Sequence, residues 1–140
     1  MSLLLHCHHN TLIEPADGTL TERRDYIRRY KPRQERPIRL MLLRVVTEAE
    51  IGLLPLPIRK SLASLTAAQA ARDAARAKWD ATRAKDAWHI WHVTRDEHVA
   101  ADARYIAALT KHHGALEVWH KQVCLPDCPW DGTTIFPVTA

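Results

Sequence analysis

His120, Cys124 and Cys128 follow one another at four-residue intervals near the end of a 140-residue chain. On a helix, residues four apart stand one turn apart on the same face, so His120 and Cys124 present an imidazole and a thiol side by side. Pro126 ends that helix and lets Cys128 swing back toward the pair. Imidazole and thiolate are the donors that Zn²⁺ takes in closed structural sites, which need four of them. Cys7, with His6, His8 and His9 around it, is the candidate fourth donor and would staple the N-terminus to the far end of the chain. The spacing matches none of the common zinc-finger patterns. The competing reading makes Cys124 and Cys128 small buried residues and His120 a surface one. A Cys124–Cys128 disulfide is a weaker third option, since nothing implies an oxidising compartment.

A second chemical feature is basic. Arg23, Arg24, Arg28, Arg29, Lys31 and Arg33 lead a cluster that continues through Arg36, Arg39 and Arg44, with Asp25 and Glu35 as its acids. Such a cluster reads either as a phosphate-binding patch for nucleic acid or a nucleotide, or as a solvated helix face with strand-edge arginines. Tyr26 and Tyr30 are too few to make a stacking platform for single strands. His89, His92 and His98 include close helical neighbours that would suit a metal, but no duplicated Glu-x-x-His accompanies them, which disfavours a di-iron bundle. There is no Gly-rich phosphate loop, no Gly-x-Ser-x-Gly, no His-Glu-x-x-His and no zinc-deaminase pattern. The chain is expected not to be an enzyme.

The elements that must position these groups divide the chain in three: a small α+β module over residues 1–57, a helical arm over 58–125, and a tail over 126–140. In the module, Ser2 to Leu5 and Thr11 to Ile13 read as short strands closed by a turn at Pro15-Ala-Asp-Gly18. Thr21 is the expected cap of a helix running to about Tyr30, with Asp25 and Arg29 paired one turn apart. Pro37 to Val46 is the best strand candidate. Thr47-x-x-Glu50 reads as a capping box, and the prolines of Leu53 to Pro57 stop the turn that it opens. In the tail, Trp130 and Phe136 are anchors, and Thr133 to Phe136 could add to the sheet as an edge strand.

The arm, Lys60 to Leu125, has no proline and a single glycine, Gly114. It keeps one heptad register, with Ala67, Ala74, Ala81 and Trp88 in one column and Ala70, Ala77, Ala84 and Trp91 in the other. The later seam positions are bulky: Tyr105, Leu109, Leu116 and Trp119. Small and large halves complement each other if they meet antiparallel. Two arrangements provide this, a long coiled-coil helix paired with a second copy or a helical hairpin folding back near Thr94 to Glu97. The first is slightly preferred, because the stretch has no Gly, Pro or Asn for a turn. The fold class is therefore mainly α, with a coiled coil or hairpin packed on a sheet of two or three strands.

Apolar residues make up 46% of the chain, with many alanines and one Phe, a composition suited to close helix packing. The net charge of +4 is mildly basic. No run of about 18 apolar residues is present, so no membrane span is expected. The first residues lack the features of a signal peptide. With three cysteines, a cytoplasmic location with reduced thiols or a metal is expected.

The ending Cys128-Pro-Trp-Asp-Gly-Thr-Thr-Ile-Phe-Pro137, preceded by an Ala/Trp-rich helix, resembles an uncharacterised family of phage and prophage-like proteins with a C-terminal Cys-Pro-Trp-Asp-Gly signature. The resemblance covers about Ala67 to Pro137 and more faintly the stretch from Tyr26. It implies a viral or mobile-element origin and no catalytic residue. The resulting expectation is a non-enzymatic, oligomeric binding or assembly protein that docks on a host macromolecule. A nucleic-acid or nucleotide-binding module using the basic cluster is the alternative, and a structural virion component a weaker one.

Overall fold

The computed structural model describes residues 2–138; Met1, Thr139 and Ala140 of the expected module and tail lie outside them. The chain forms two compact units. One combines residues 1–53 with 117–140, and the other holds residues 54–116.

The first unit contains the sheet. Strand β1 (Ser2–Leu5) lies between β2 (Ile13–Ala16) and β3 (Arg44–Val45), and both pairings are antiparallel. Leu4 faces Glu14 across the β1–β2 pair, and Leu5 faces Ile13. Helix α1 (Leu20–Tyr30) buries Ile27, which packs with Leu4, Cys7 and Leu43 in a small apolar core. Its cap is Thr19, not Thr21: Thr19 Oγ1 accepts from the Glu22 N–H at 3.1 Å, and Glu22 Oε2 accepts from the Thr19 N–H at 2.7 Å. Both orphan donors are satisfied reciprocally, an arrangement that Thr21 has no Glu or Gln three residues on to match. Asp25 pairs with Arg28 rather than Arg29.

Most of the expected strand over Pro37 to Val46 is helix α2 (Arg36–Leu42), and only Arg44 and Val45 are extended as β3. Pro37 falls in the first turn, where its missing N–H costs nothing and its fixed φ suits a helix. Arg39 and Leu42, three apart, then share the buried face. Helix α3 (Glu48–Gly52) opens with the expected Thr47–Glu50 capping box.

The second unit contains the hairpin of α4 (Leu56–Thr82) and α5 (Lys85–Lys111), while α6 (His113–Val123) spans the division between units. Antiparallel packing is marked by Arg76, whose guanidinium lies 4.6 Å from the Trp91 ring centroid, and by Arg72 Nη1, 3.2 Å from His98 Nδ1. The hairpin is thus observed in place of the slightly preferred continuous helix, and its turn is Arg83-Ala84, not Thr94 to Glu97. Arg83 supplies the left-handed residue that glycine usually provides (φ 52°). Its N–H donates to the Trp79 carbonyl at 2.8 Å, and its guanidinium stacks over the Trp79 ring. Thr94 is mid-helix, its hydroxyl donating back to the Ile90 and Trp91 carbonyls.

The alanine seam is not the buried face. Ala67, Ala70, Ala74, Ala77 and Ala81 are exposed, whereas Ile58, Leu62, Leu65 and Ala75 are buried. The larger side chains of α4 remove more apolar area from water, so they set which face turns inward. On α5 the column of Trp91, His98 and Tyr105 is kept, with Tyr105 buried. Its partner column shifts by one residue to Ala87 and Ala101, which leaves Arg95 and Asp102 in water and Trp88 39% exposed. Leu109 is half-buried, and Leu116 and Trp119 on α6 are buried.

Candidate metal centre

Helix α6 continues its hydrogen bonding to Cys124, whose N–H donates to the His120 carbonyl at 2.9 Å. This keeps His120 and Cys124 one turn apart, as their spacing requires. The chain then turns, with the Cys128 N–H donating to the Leu125 carbonyl at 3.1 Å, and Cys128 returns to the pair. Beyond it, the Asp131 carboxylate accepts from the Thr133 and Thr134 N–H groups at 2.9 Å each, and Gly132 takes a positive φ of 105°. That turn carries Ile135 into the core, where its N–H donates to the His9 carbonyl at 2.8 Å. The expected edge strand at Thr133 to Phe136 is absent among the described residues.

The fourth donor is His6, not Cys7. His6, His120, Cys124 and Cys128 bring one ligand atom each to within 4.8 Å of the others. His6 Nε2 lies 3.1 Å from His120 Nε2, 3.6 Å from Cys124 Sγ and 3.4 Å from Cys128 Sγ. Cys128 Sγ lies 3.6 Å from His120 Nε2. A tetrahedral zinc with Zn–N of about 2.0–2.1 Å and Zn–S of about 2.3 Å needs ligand–ligand edges of about 3.3–3.8 Å. The four observed separations fall close to that range. The cluster could hold a metal ion.

His6 follows β1 in the left-handed region (φ 51°), a conformation strained for any residue but glycine. Its N–H donates to the Leu12 carbonyl at 2.9 Å, which holds the bend. The bend turns the imidazole toward α6 and leaves Cys7 to pack against Leu4, Ile27 and Leu43. Cys7 therefore belongs to the apolar core and, with His8 and Glu14, to a separate donor group. His89, His92 and His98 belong to neither group; His89 and His92 lie beside the Trp88 ring instead.

Burial pushes the His6 pKa down to about 4, with smaller contributions from His120 and Arg44, and burial likewise lowers that of His120. Both shifts favour the neutral ring, the form that ligates metal. Burial, followed by the hydrogen bond and charge of Cys128, pushes Cys124 up to about 12. A cation at the centre is what would stabilise the thiolates. Arg44 opposes the burial effect at Cys124. The indole of Trp130 closes the site: its Nε1 donates to Glu117 Oε1 at 2.7 Å, and its ring lies 5.7 Å from His6 and 6.2 Å from His120.

The basic cluster is largely committed elsewhere. Arg23 donates to the Cys7 carbonyl at 2.6 Å, Arg28 pairs with Asp25, and Arg36 donates to the Lys31 carbonyl at 2.7 Å. Arg39 is buried against Glu35 with its guanidinium over the Phe136 ring, and Arg44 pairs with Glu50. The Lys31 ammonium lies over the Tyr26 ring. Arg24, Arg29 and Arg33 pair with no carboxylate among the described residues.

No helix among the described residues is long and apolar enough to cross a membrane. Comparison with protein-family models, curated proteins and solved structures finds no match for this chain.

Proposed function

We propose that the chain is a non-enzymatic binding or assembly protein whose first unit is held together by a structural Zn²⁺ on His6, His120, Cys124 and Cys128. The observation that carries this reading is the closed donor set. Catalytic zinc sites keep a position for water or substrate, whereas four converging nitrogen and sulfur donors fill a tetrahedral shell. Two imidazoles and two thiols favour Zn²⁺ over Mg²⁺ or Ca²⁺, which take oxygen ligands.

The partner is proposed to be a protein, in keeping with the phage-like resemblance of the C-terminal signature. Supporting this, α5 exposes Trp88, Val99 and Ile106, whose separations of eleven and seven residues place them on one helix face. Self-association through this face would make the protein oligomeric.

Native mass spectrometry of the purified protein reports subunit number and bound metal together. The expected spectrum carries a tightly held zinc ion that is lost in Cys124→Ala and in His120→Ala. A wild-type protein that takes up no zinc, or zinc uptake unchanged by both substitutions, would overturn the structural-zinc reading.

A further inference from the structure

A second group of donors begins one residue beyond the first. The bend at His6 sends its imidazole to α6, while Cys7 turns to the core around Leu4, Ile27 and Leu43. Glu14 pairs with Leu4 across the sheet and so leaves it on the same face as Leu4. There Cys7, His8 and Glu14 bring one ligand atom each to within 4.8 Å of the others. His8 Nδ1 is in direct contact with Glu14 Oε2. Arg23 fixes the loop by donating to the Cys7 carbonyl at 2.6 Å.

We propose that Cys7, His8 and Glu14 form a second metal site, binding Zn²⁺ through one thiolate, one imidazole nitrogen and one carboxylate oxygen. These are zinc donors of all three kinds, and three of them leave the fourth tetrahedral position to solvent. The surroundings match that role. Cys7 is buried, while the His8 and Glu14 side chains are 44% and 36% exposed, so the ion has a path from water. With one donor fewer and an open side, this site holds its ion more weakly than the four-donor centre and exchanges it. The His6–Cys7 peptide joins the two sites, so filling one steadies the backbone of the other. The proposal uses none of the four residues of the first centre and stands apart from the structural-zinc reading.

The test strips the full chain with a chelator, returns Zn²⁺ in rising amounts and counts bound ions by native mass spectrometry. Wild type is expected to fill two sites, the second at higher free zinc. His8→Ala combined with Glu14→Gln, both at partly exposed positions, is expected to stop at one. His6→Ala with Cys128→Ser is expected to keep the weaker ion and lose the tighter one. A wild-type count that saturates at one, with that ion lost in His6→Ala/Cys128→Ser, would show that His8 and Glu14 form only an ion pair, and would overturn the proposal. Two ions retained by His8→Ala/Glu14→Gln would overturn it as well. One ion in wild type that is lost only in His8→Ala/Glu14→Gln would support the second site and sink the first reading instead.

Discussion

Arg44 Nη2 donates to the Val123 carbonyl at 2.6 Å, which anchors β3 to the residue immediately before Cys124. The same guanidinium forms a two-point pair with Glu50, at 2.8 Å on each oxygen. A single side chain therefore ties the sheet, the α3 cap and the end of α6 that carries His120 and Cys124. It also places positive charge beside a thiol that burial pushes toward the neutral form.

Replacing Arg44 should thus act on the metal without touching a ligand. Arg44→Gln is expected to weaken zinc binding about 10- to 100-fold, the usual effect of removing an outer-shell partner. Competition with a chromophoric chelator measures it. Unchanged affinity would mean that Arg44 serves the fold alone.

Removing the metal should destabilise the first unit strongly, because binding energy at a structural site is folding energy. Exhaustive chelation, or Cys124→Ala, is expected to cost at least about 3 kcal/mol and to lower the melting temperature by about 10 °C. Calorimetry with and without chelator reads the difference. A superimposable pair of melting curves would return Cys124 and Cys128 to ordinary packing.

Glu50 sets an acid limit. Its hydrogen bond from Arg44, ahead of the Thr47 cap, holds the carboxyl down to about 2 against burial. A group depressed in the folded state binds more protons when unfolded, so stability falls as the pH falls. The contribution is complete above about pH 4.5, the ordinary carboxylate value, and is lost as the pH drops toward 2. Urea denaturation of metal-free protein across that window should therefore show a steeper loss for wild type than for Glu50→Gln. Parallel profiles would refute the linkage.

The hairpin turn carries removable strain. Arg83 sits in the left-handed region at a cost of about 1–2 kcal/mol for a residue with a Cβ. Arg83→Gly relieves it but gives up the stacking on Trp79 and some unfolded-state restriction, for a net gain of about 0.5 kcal/mol. Arg83→Pro, which cannot adopt a positive φ, should disrupt the hairpin. Chemical denaturation orders the three proteins, and a less stable Arg83→Gly would show that the stacking outweighs the strain.

The basic cluster limits any nucleic-acid binding. With Arg24, Arg29, Lys31 and Arg33 as its members held by neither a carboxylate nor a backbone carbonyl, the salt slope of log affinity should not be steeper than about −3.6, at about −0.9 per phosphate. Fluorescence anisotropy at several salt concentrations, with Arg28→Ala and Arg29→Ala as a double variant, tests it. A steeper slope abolished by that variant would restore the phosphate-patch reading.

The parts of this fold that were legible in the sequence are those fixed by neighbours in the chain. Thr47 and Glu50 cap a helix because three residues separate them, and His120 and Cys124 share a face because four do. The same spacing holds at Thr19 and Glu22, two residues before Thr21. Where long-range packing decides, local pattern misled. Ala67 to Ala81 keep a flawless heptad, yet Leu62 and Leu65 have more area to bury and win the inward face. Pro37 reads as a strand start until Arg39 and Leu42 show a helical period. The choice of His6 over Cys7 turns on one left-handed residue after β1, and the hairpin on another at Arg83. Neither position has glycine to announce it.

The separation of 114 residues between His6 and His120 orders events during synthesis. The hairpin is a local structure and can form while the chain is still emerging, since its two helices are joined by two residues. The four-residue cluster has to wait, because His6 follows β1 and the other three residues arrive only with the end of α6 and the turn after it. A nascent chain stalled before His120 would therefore hold all three strands but only one residue of the four-donor cluster. Its imidazole and thiol would then be open to any metal carrier or chaperone that meets the ribosome first.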